Sequence, residues 1–263
     1  MPLLSISNLS LGYGEKEIFS GINACEDEGC LIALLGSNGR GKSTLLRTTA
    51  GLENIWEGNK DSSGKILYDG KPLVSYSRKE ASALVSFVSP LSDRTRYLSV
   101  KDMAAINTYY RTNWIGAVDT MEEKRVREAL KMVGLEGFED RDCTSLSDGE
   151  FQRATIAGAI VQDSRIILLD EPTAFLDVAN KFLATRLLKQ IAHKEGNRKL
   201  IVFSTHDLQL ALQICDRLWI MTEEGFFSGD VKEMTESGAI DKMFDVEGLS
   251  FDRGKMMFVC EDK

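Results

Sequence analysis

The stretch Gly36-Ser37-Asn38-Gly39-Arg40-Gly41-Lys42-Ser43-Thr44 constrains this chain more than any other. It fits the pattern GxxxxGK[ST], in which glycines let backbone N–H groups curl round phosphates. Within it Lys42 reaches the outer phosphate oxygens and Ser43 can ligate magnesium. Such a loop works only between a strand and a helix, and both are legible. Cys30-Leu31-Ile32-Ala33-Leu34-Leu35 is a continuous apolar run, as expected of a parallel strand covered on both faces, and Ser43-Thr44-Leu45-Leu46-Arg47 opens a helix. A helix N-terminus carries about half a positive charge and several unpaired N–H donors, so backbone and Lys42 together suit a triphosphate.

A second apolar strand, Arg165-Ile166-Ile167-Leu168-Leu169, ends in Asp170-Glu171-Pro172. In open parallel sheets ligands sit beyond the carboxyl ends of strands, which places Asp170 near a magnesium ion and Glu171 near the terminal phosphate. Asp170 suits a metal ligand, and Glu171 is placed to orient or deprotonate an attacking water. Alone, an acidic pair after a strand is more often a solvated turn, and the phosphate loop beside it reverses that reading. A third strand, Lys199-Leu200-Ile201-Val202-Phe203, runs into Ser204-Thr205-His206-Asp207. His206 is thereby aimed at the same end of the sheet, although Ser, Thr and Asp also favour helix caps. The chain has only 2 histidines, which leaves no basis for a multi-histidine metal site, and His193 sits in a charged stretch that reads as surface.

Between the two phosphate-site motifs lies Leu146-Ser147-Asp148-Gly149-Glu150, followed by Phe151-Gln152-Arg153. With Phe175-Leu176-Asp177 and Ser204-Thr205-His206-Asp207 in that order and spacing, the set resembles the ATP-binding cassette of ABC transporters, and the resemblance covers nearly the whole chain. It implies an α/β fold: a P-loop ATPase core with a mostly parallel sheet, an N-terminal antiparallel β subdomain and an inserted α-helical subdomain. It further implies ATP and Mg2+ as ligands, Tyr13 stacking on adenine, and Asp177 at a dimer seam. Ser147 and Gly149 would contact the terminal phosphate of ATP bound to the opposite subunit, His206 the terminal phosphate of its own. On that pattern the protein is a homodimer beneath two membrane permease subunits, at the cytoplasmic face of the plasma membrane and served indirectly by a substrate-binding protein.

Two departures from the family pattern stand out. Asp148 and Glu150 replace a common glycine and glutamine, in a form resembling cassettes that serve importers of iron complexes, haem and cobalamin. The family's glutamine after the strand read as Ala83-Leu84-Val85-Ser86-Phe87-Val88 is replaced by Ser89-Pro90-Leu91-Ser92-Asp93-Arg94. The rival readings are a non-transport cassette acting in cofactor assembly, repair or translation, and an exporter ATPase. Long coiled-coil insertions, a second cassette and fused membrane helices, which those would bring, are not seen in this sequence.

Composition agrees. With 43% apolar and 27% charged residues the chain is an ordinary globular sequence, and it holds no run of about eighteen apolar residues to span a bilayer. Its formal net charge of -8 argues against a nucleic-acid partner. Cys25, Cys30, Cys143, Cys215 and Cys260 are odd in number without CxxC spacing, which fits reduced thiols. The start, Met1-Pro2-Leu3-Leu4, lacks the basic segment of an export signal and leads into alternation that suggests an edge strand. Residues 1–263 read as one ATPase domain, with a helical insert at about 95–160 in which Val126, Leu130 and Val133 share a face that ends at Gly134. Thr222–Gly229 reads as a hairpin turn and Lys255–Val259 as a final strand.

Overall fold

The computed structural model describes residues 1–56, 64–89, 96–106, 120–243 and 249–260. Its strands are β1 (Leu4–Tyr13), β2 (Lys16–Glu26), β3 (Cys30–Gly36), β4 (Lys65–Tyr68), β5 (Val85–Val88), β6 (Ile166–Leu169), β7 (Leu200–Ser204), β8 (Arg217–Met221), β9 (Phe226–Asp230), β10 (Leu249–Asp252) and β11 (Met257–Cys260). Its α-helices are α1 (Lys42–Thr49), α2 (Arg78–Leu84), α3 (Val100–Ile106), α4 (Thr120–Met132), α5 (Asp148–Gln162), α6 (Val178–Ala192), α7 (Leu208–Ile214) and α8 (Val231–Glu236).

The apolar runs of the sequence form the central sheet, in the order β5-β6-β7-β3-β8-β9. All neighbours are parallel except β8 and β9, which are joined by a turn at Thr222–Gly225, shorter than the Thr222–Gly229 expected because Phe226–Gly229 already pairs in β9. Side chains alternate across a strand, and the core divides accordingly. Leu31, Ala33 and Leu35 of β3, Ile167 and Leu169 of β6, and Ile201 and Phe203 of β7 pack toward α5, α6 and α7. Ile32, Leu34, Ile166, Leu168, Leu200 and Val202 point the other way, against α1 and the antiparallel strands. A sheet covered on both faces needs apolar residues at every position, which is why these strands show no alternation.

The antiparallel sheet has the order β2-β1-β4. β1 is therefore central and not an edge strand: Leu4–Ser7 pairs with Lys65–Tyr68 on one side and with β2 on the other. Its alternation reports a sheet with one face buried, a property that edge and central strands share. On the far side of the central sheet α3, α4 and α5 pack together, with Val126, Leu130 and Val133 buried and the backbone at Gly134 in the left-handed region. The segment Pro90–Arg94, where the family's glutamine is replaced, lies outside the described residues. The C-terminal strand pairs as β11 with β10. All five cysteines are free thiols.

Candidate active site

The phosphate loop joins β3 to α1. Its backbone passes through the left-handed region at Gly39 (φ 78°) and Gly41 (φ 94°), which a Cβ would penalise. Lys42 heads α1 and is buried in the loop, 6% exposed. Its Nζ donates to Gly36 O at 2.7 Å and Ser37 O at 3.1 Å. An ammonium carries three N–H donors, so one remains for an anion held by the loop. Burial pulls the Lys42 pKa below the ordinary lysine value, and the charges of Glu171 and Asp170 push it back up. Ser43 and Thr44 follow in the first turn of α1, half-buried and buried. Asn38 is exposed, Ser37 Oγ donates to Met243 O at 3.4 Å, and Arg40 pairs with Glu223 in the β8–β9 turn.

Asp170 follows β6 and is 2% exposed, its N–H donating to Val88 O at 2.9 Å. Ser204, the last residue of β7, ties the acidic pair together. Its Oγ donates to Asp170 Oδ1 at 2.7 Å and accepts from Glu171 N at 2.8 Å. Glu171 has φ 49°, a left-handed conformation outside glycine, and its Oε1 lies 2.7 Å from His206 Nε2. The cap that Ser204–Asp207 foreshadows is made by Asp207, whose Oδ1 accepts from Leu210 N at 3.0 Å at the head of α7. Because Asp207 serves the helix, His206 is left to face Glu171. Ser204 is the site residue that sequence reading did not single out. Its signal was its place at the end of β7, beside the strand that carries Asp170.

Ser147, Gly149 and Asp177 line a cleft with Phe175 that shares no residue with the cavity walled by Glu171, His206 and Thr173. Ser147 caps α5, accepting from Glu150 N at 3.3 Å, while Glu150 Oε2 accepts from Ser147 N at 2.8 Å. This reciprocal box gives Glu150 a structural role at the head of α5, one that a glutamine would fill as well. At Gly149 a Cβ would stand 3.2 Å from Leu176 Cδ2 and 3.6 Å from Phe175 O, so glycine lets the loop carrying Asp177 approach closely. Asp177 caps α6, accepting from Asn180 N at 2.7 Å. Tyr13 stands at the tip of the β1–β2 hairpin, 53% exposed, with its hydroxyl 3.1 Å from Thr44 Oγ1. His193, read as plain surface, pairs with Asp216 at 2.8 Å, as does Lys189 of α6 at 3.0 Å.

The oxygens of Asp170 and Ser43 suit a hard dication such as Mg2+. Among the described residues no group of three or more His, Cys, Asp or Glu is arranged to hold a metal by itself. Among the same residues no helix is long and apolar enough to cross a membrane.

The ABC transporter family model matches residues 19–174. A probable siderophore transport system ATP-binding protein of Bacillus subtilis is 32% identical over 93% of this chain and 86% of its own length. A petrobactin import ATP-binding protein of Bacillus anthracis is 31% identical over 93% of this chain and 87% of its own. Among solved structures, a metal-chelate type ABC transporter matches with a TM-score of 0.77 at 26% identity, covering 99% of this chain and 96% of that one. With the phosphate loop, the acidic pair and the Ser147 cleft in place on a matching fold, this chain belongs to the ABC transporter family as an ATP-binding, ATP-hydrolysing subunit.

Proposed function

We propose that this subunit powers an importer of an iron complex, either a siderophore or haem, or of a corrinoid such as cobalamin, by closing as a homodimer on ATP beneath two permease subunits. The observation that carries the catalytic part is the convergence of Lys42, Asp170, Glu171 and His206 at one end of the sheet. Lys42 and the α1 N-terminus hold the triphosphate, and Tyr13 offers its ring to the base. Ser43 and Asp170 would hold Mg2+, which supplies positive charge against the terminal phosphate. Glu171 accepts the proton of the attacking water, and His206 steadies both Glu171 and the terminal phosphate.

The dimer is supported by the Ser147 cleft, which one chain leaves apart from its own Glu171, and by Phe175 and Val178, 53% and 85% exposed on either side of Asp177. The second copy would bring Ser147 and Gly149 to the phosphates, and ATP would favour the closed pair because only there does it touch both halves. The cargo class is supported by the LSDGE form and by the relatives named for siderophore and petrobactin transport. A strain lacking this chain is expected to grow poorly when an iron chelate, haem or a corrinoid is limiting, with rescue by the wild-type gene but not by Glu171→Gln. Normal uptake of all three, together with defective uptake of a sugar, amino acid or peptide, overturns the cargo class and leaves the ATPase standing.

A further inference from the structure

The tip of the β1–β2 hairpin is a poor platform by itself. Gly14, Glu15 and Lys16 are exposed, and the β1–β2 register shifts between Leu11 and Gly12, just before Tyr13. Yet every residue from Gly12 to Gly14 is held by the segment that follows α1. Gly51, with φ 72°, ends that helix: its N–H donates to Thr48 O at 3.1 Å and Leu52 N to Arg47 O at 2.9 Å, the paired bonds of a left-handed helix stop. The chain is thereby turned back so that Glu53 and Trp56 face the hairpin.

Glu53 accepts from the Tyr13 hydroxyl at 3.2 Å and 3.1 Å on its two oxygens, and Arg47 lies 3.6 Å from the same carboxylate. Tyr13 has a single O–H. With that proton committed to the carboxylate, the contact at 3.1 Å to Thr44 Oγ1 runs the other way, from the threonine hydroxyl to the tyrosine oxygen. The phenol is thus fixed at both its donor and its acceptor, between the phosphate loop and the end of α1. Trp56 secures the residues on either side: its Nε1 donates to Gly14 O at 2.8 Å, and its ring lies so close over Gly12 that a Cβ there would stand 2.5 Å from Trp56 Cε2. Tyr13 as a residue nevertheless stays 53% exposed.

We infer that Glu53 and Trp56 are positioning residues for the nucleotide base, which fix the Tyr13 ring at the height above the phosphate loop where a purine can stack. This rests on the reading of Tyr13 as the base platform. The test compares direct binding of Mg-ATP and of magnesium tripolyphosphate, which has phosphates but no base, by the whole chain and its variants. Glu53→Ala and Trp56→Leu are expected to weaken ATP binding by about 5–10-fold, the value of one oriented hydrogen bond, and to leave tripolyphosphate binding unchanged. Glu53→Gln, whose amide oxygen still accepts from Tyr13, is expected to restore ATP affinity. Equal loss of both ligands in Glu53→Ala would mean damage to α1 and its loop, and overturns the inference. So does wild-type ATP affinity in Glu53→Ala when Tyr13→Ala binds ATP weakly, a result that leaves the platform intact. If Tyr13→Ala itself binds ATP normally, the platform reading fails and the inference falls with it.

Discussion

Glu171 holds a backbone conformation, φ 49°, that costs a residue with a side chain about 1–3 kcal/mol. Three neighbours hold it there: Ser204 Oγ on its N–H, His206 on its carboxylate and the buried Asp170 before it. The result is a carboxylate that faces His206 and shares its surroundings with the Lys42 ammonium. In Glu171→Gln the amide keeps the shape and the hydrogen-bonding reach but cannot take a proton. ATP binding is expected to persist while turnover falls by roughly 10²-fold or more, checked by nucleotide binding beside steady-state hydrolysis. Near-normal hydrolysis removes Glu171 from the role. Asp170, Glu171, Lys42 and His206 were legible because each follows a strand end or opens a helix within a short motif. Ser204 was not singled out, because its function is to bridge Asp170 and the Glu171 amide, partners 34 and 33 residues away in sequence.

Elements were legible where a local pattern sufficed. Continuous apolar runs marked the buried parallel strands, and the shared face of Val126, Leu130 and Val133, ending at Gly134, marked α4. The centrality of β1 was not legible, because pairing with β4 joins residues some sixty apart and leaves no trace in the alternation. The link between the two sheets was equally hidden. Glu26, at the end of β2 and 3% exposed, accepts from Trp219 Nε1 of β8 at 2.9 Å and lies 2.9 Å from Arg217 Nε. Burial raises its pKa above the ordinary glutamate value, more than Trp219 and Arg217 lower it. A carboxyl with a raised folded-state pKa keeps its proton when the unfolded chain has lost it. Its contribution is therefore full below the unfolded value of 4.5 and is lost as pH rises through the folded pKa. Glu26→Gln keeps the acceptor for Trp219 and cannot titrate. Relative to wild type, its stability is expected to gain as pH rises above 4.5, read from denaturation midpoints at several pH values. A constant difference between the two proteins across that range would show that Glu26 does not titrate there.

At the scale of the molecule the telling feature is a separation. Ser147 and Gly149 sit in one cleft with Asp177, while Glu171 and His206 wall another, so a lone chain holds two halves of what the proposed mechanism requires together. Under the proposed closure two chains face to face would pair each half with its complement, and a defect at Ser147 would then harm the partner's ATP and not its own. Ser147 also caps α5, so the test needs a residue that preserves the cap. Aspartate accepts from the Glu150 N–H about as well as serine, gives up only the Ser147 Oγ bond to Glu150 Oε2, and carries a charge that repels a phosphate brought against it. Ser147→Asp is therefore expected to bind ATP as a monomer with wild-type affinity, while its hydrolysis is lost. The Glu171→Gln variant is expected to form an ATP-dependent dimer detectable by light scattering, and adding Ser147→Asp is expected to abolish it. If Ser147→Asp instead loses monomer ATP affinity as severely as Lys42→Ala does, Ser147 serves its own nucleotide and the active site does not cross between subunits.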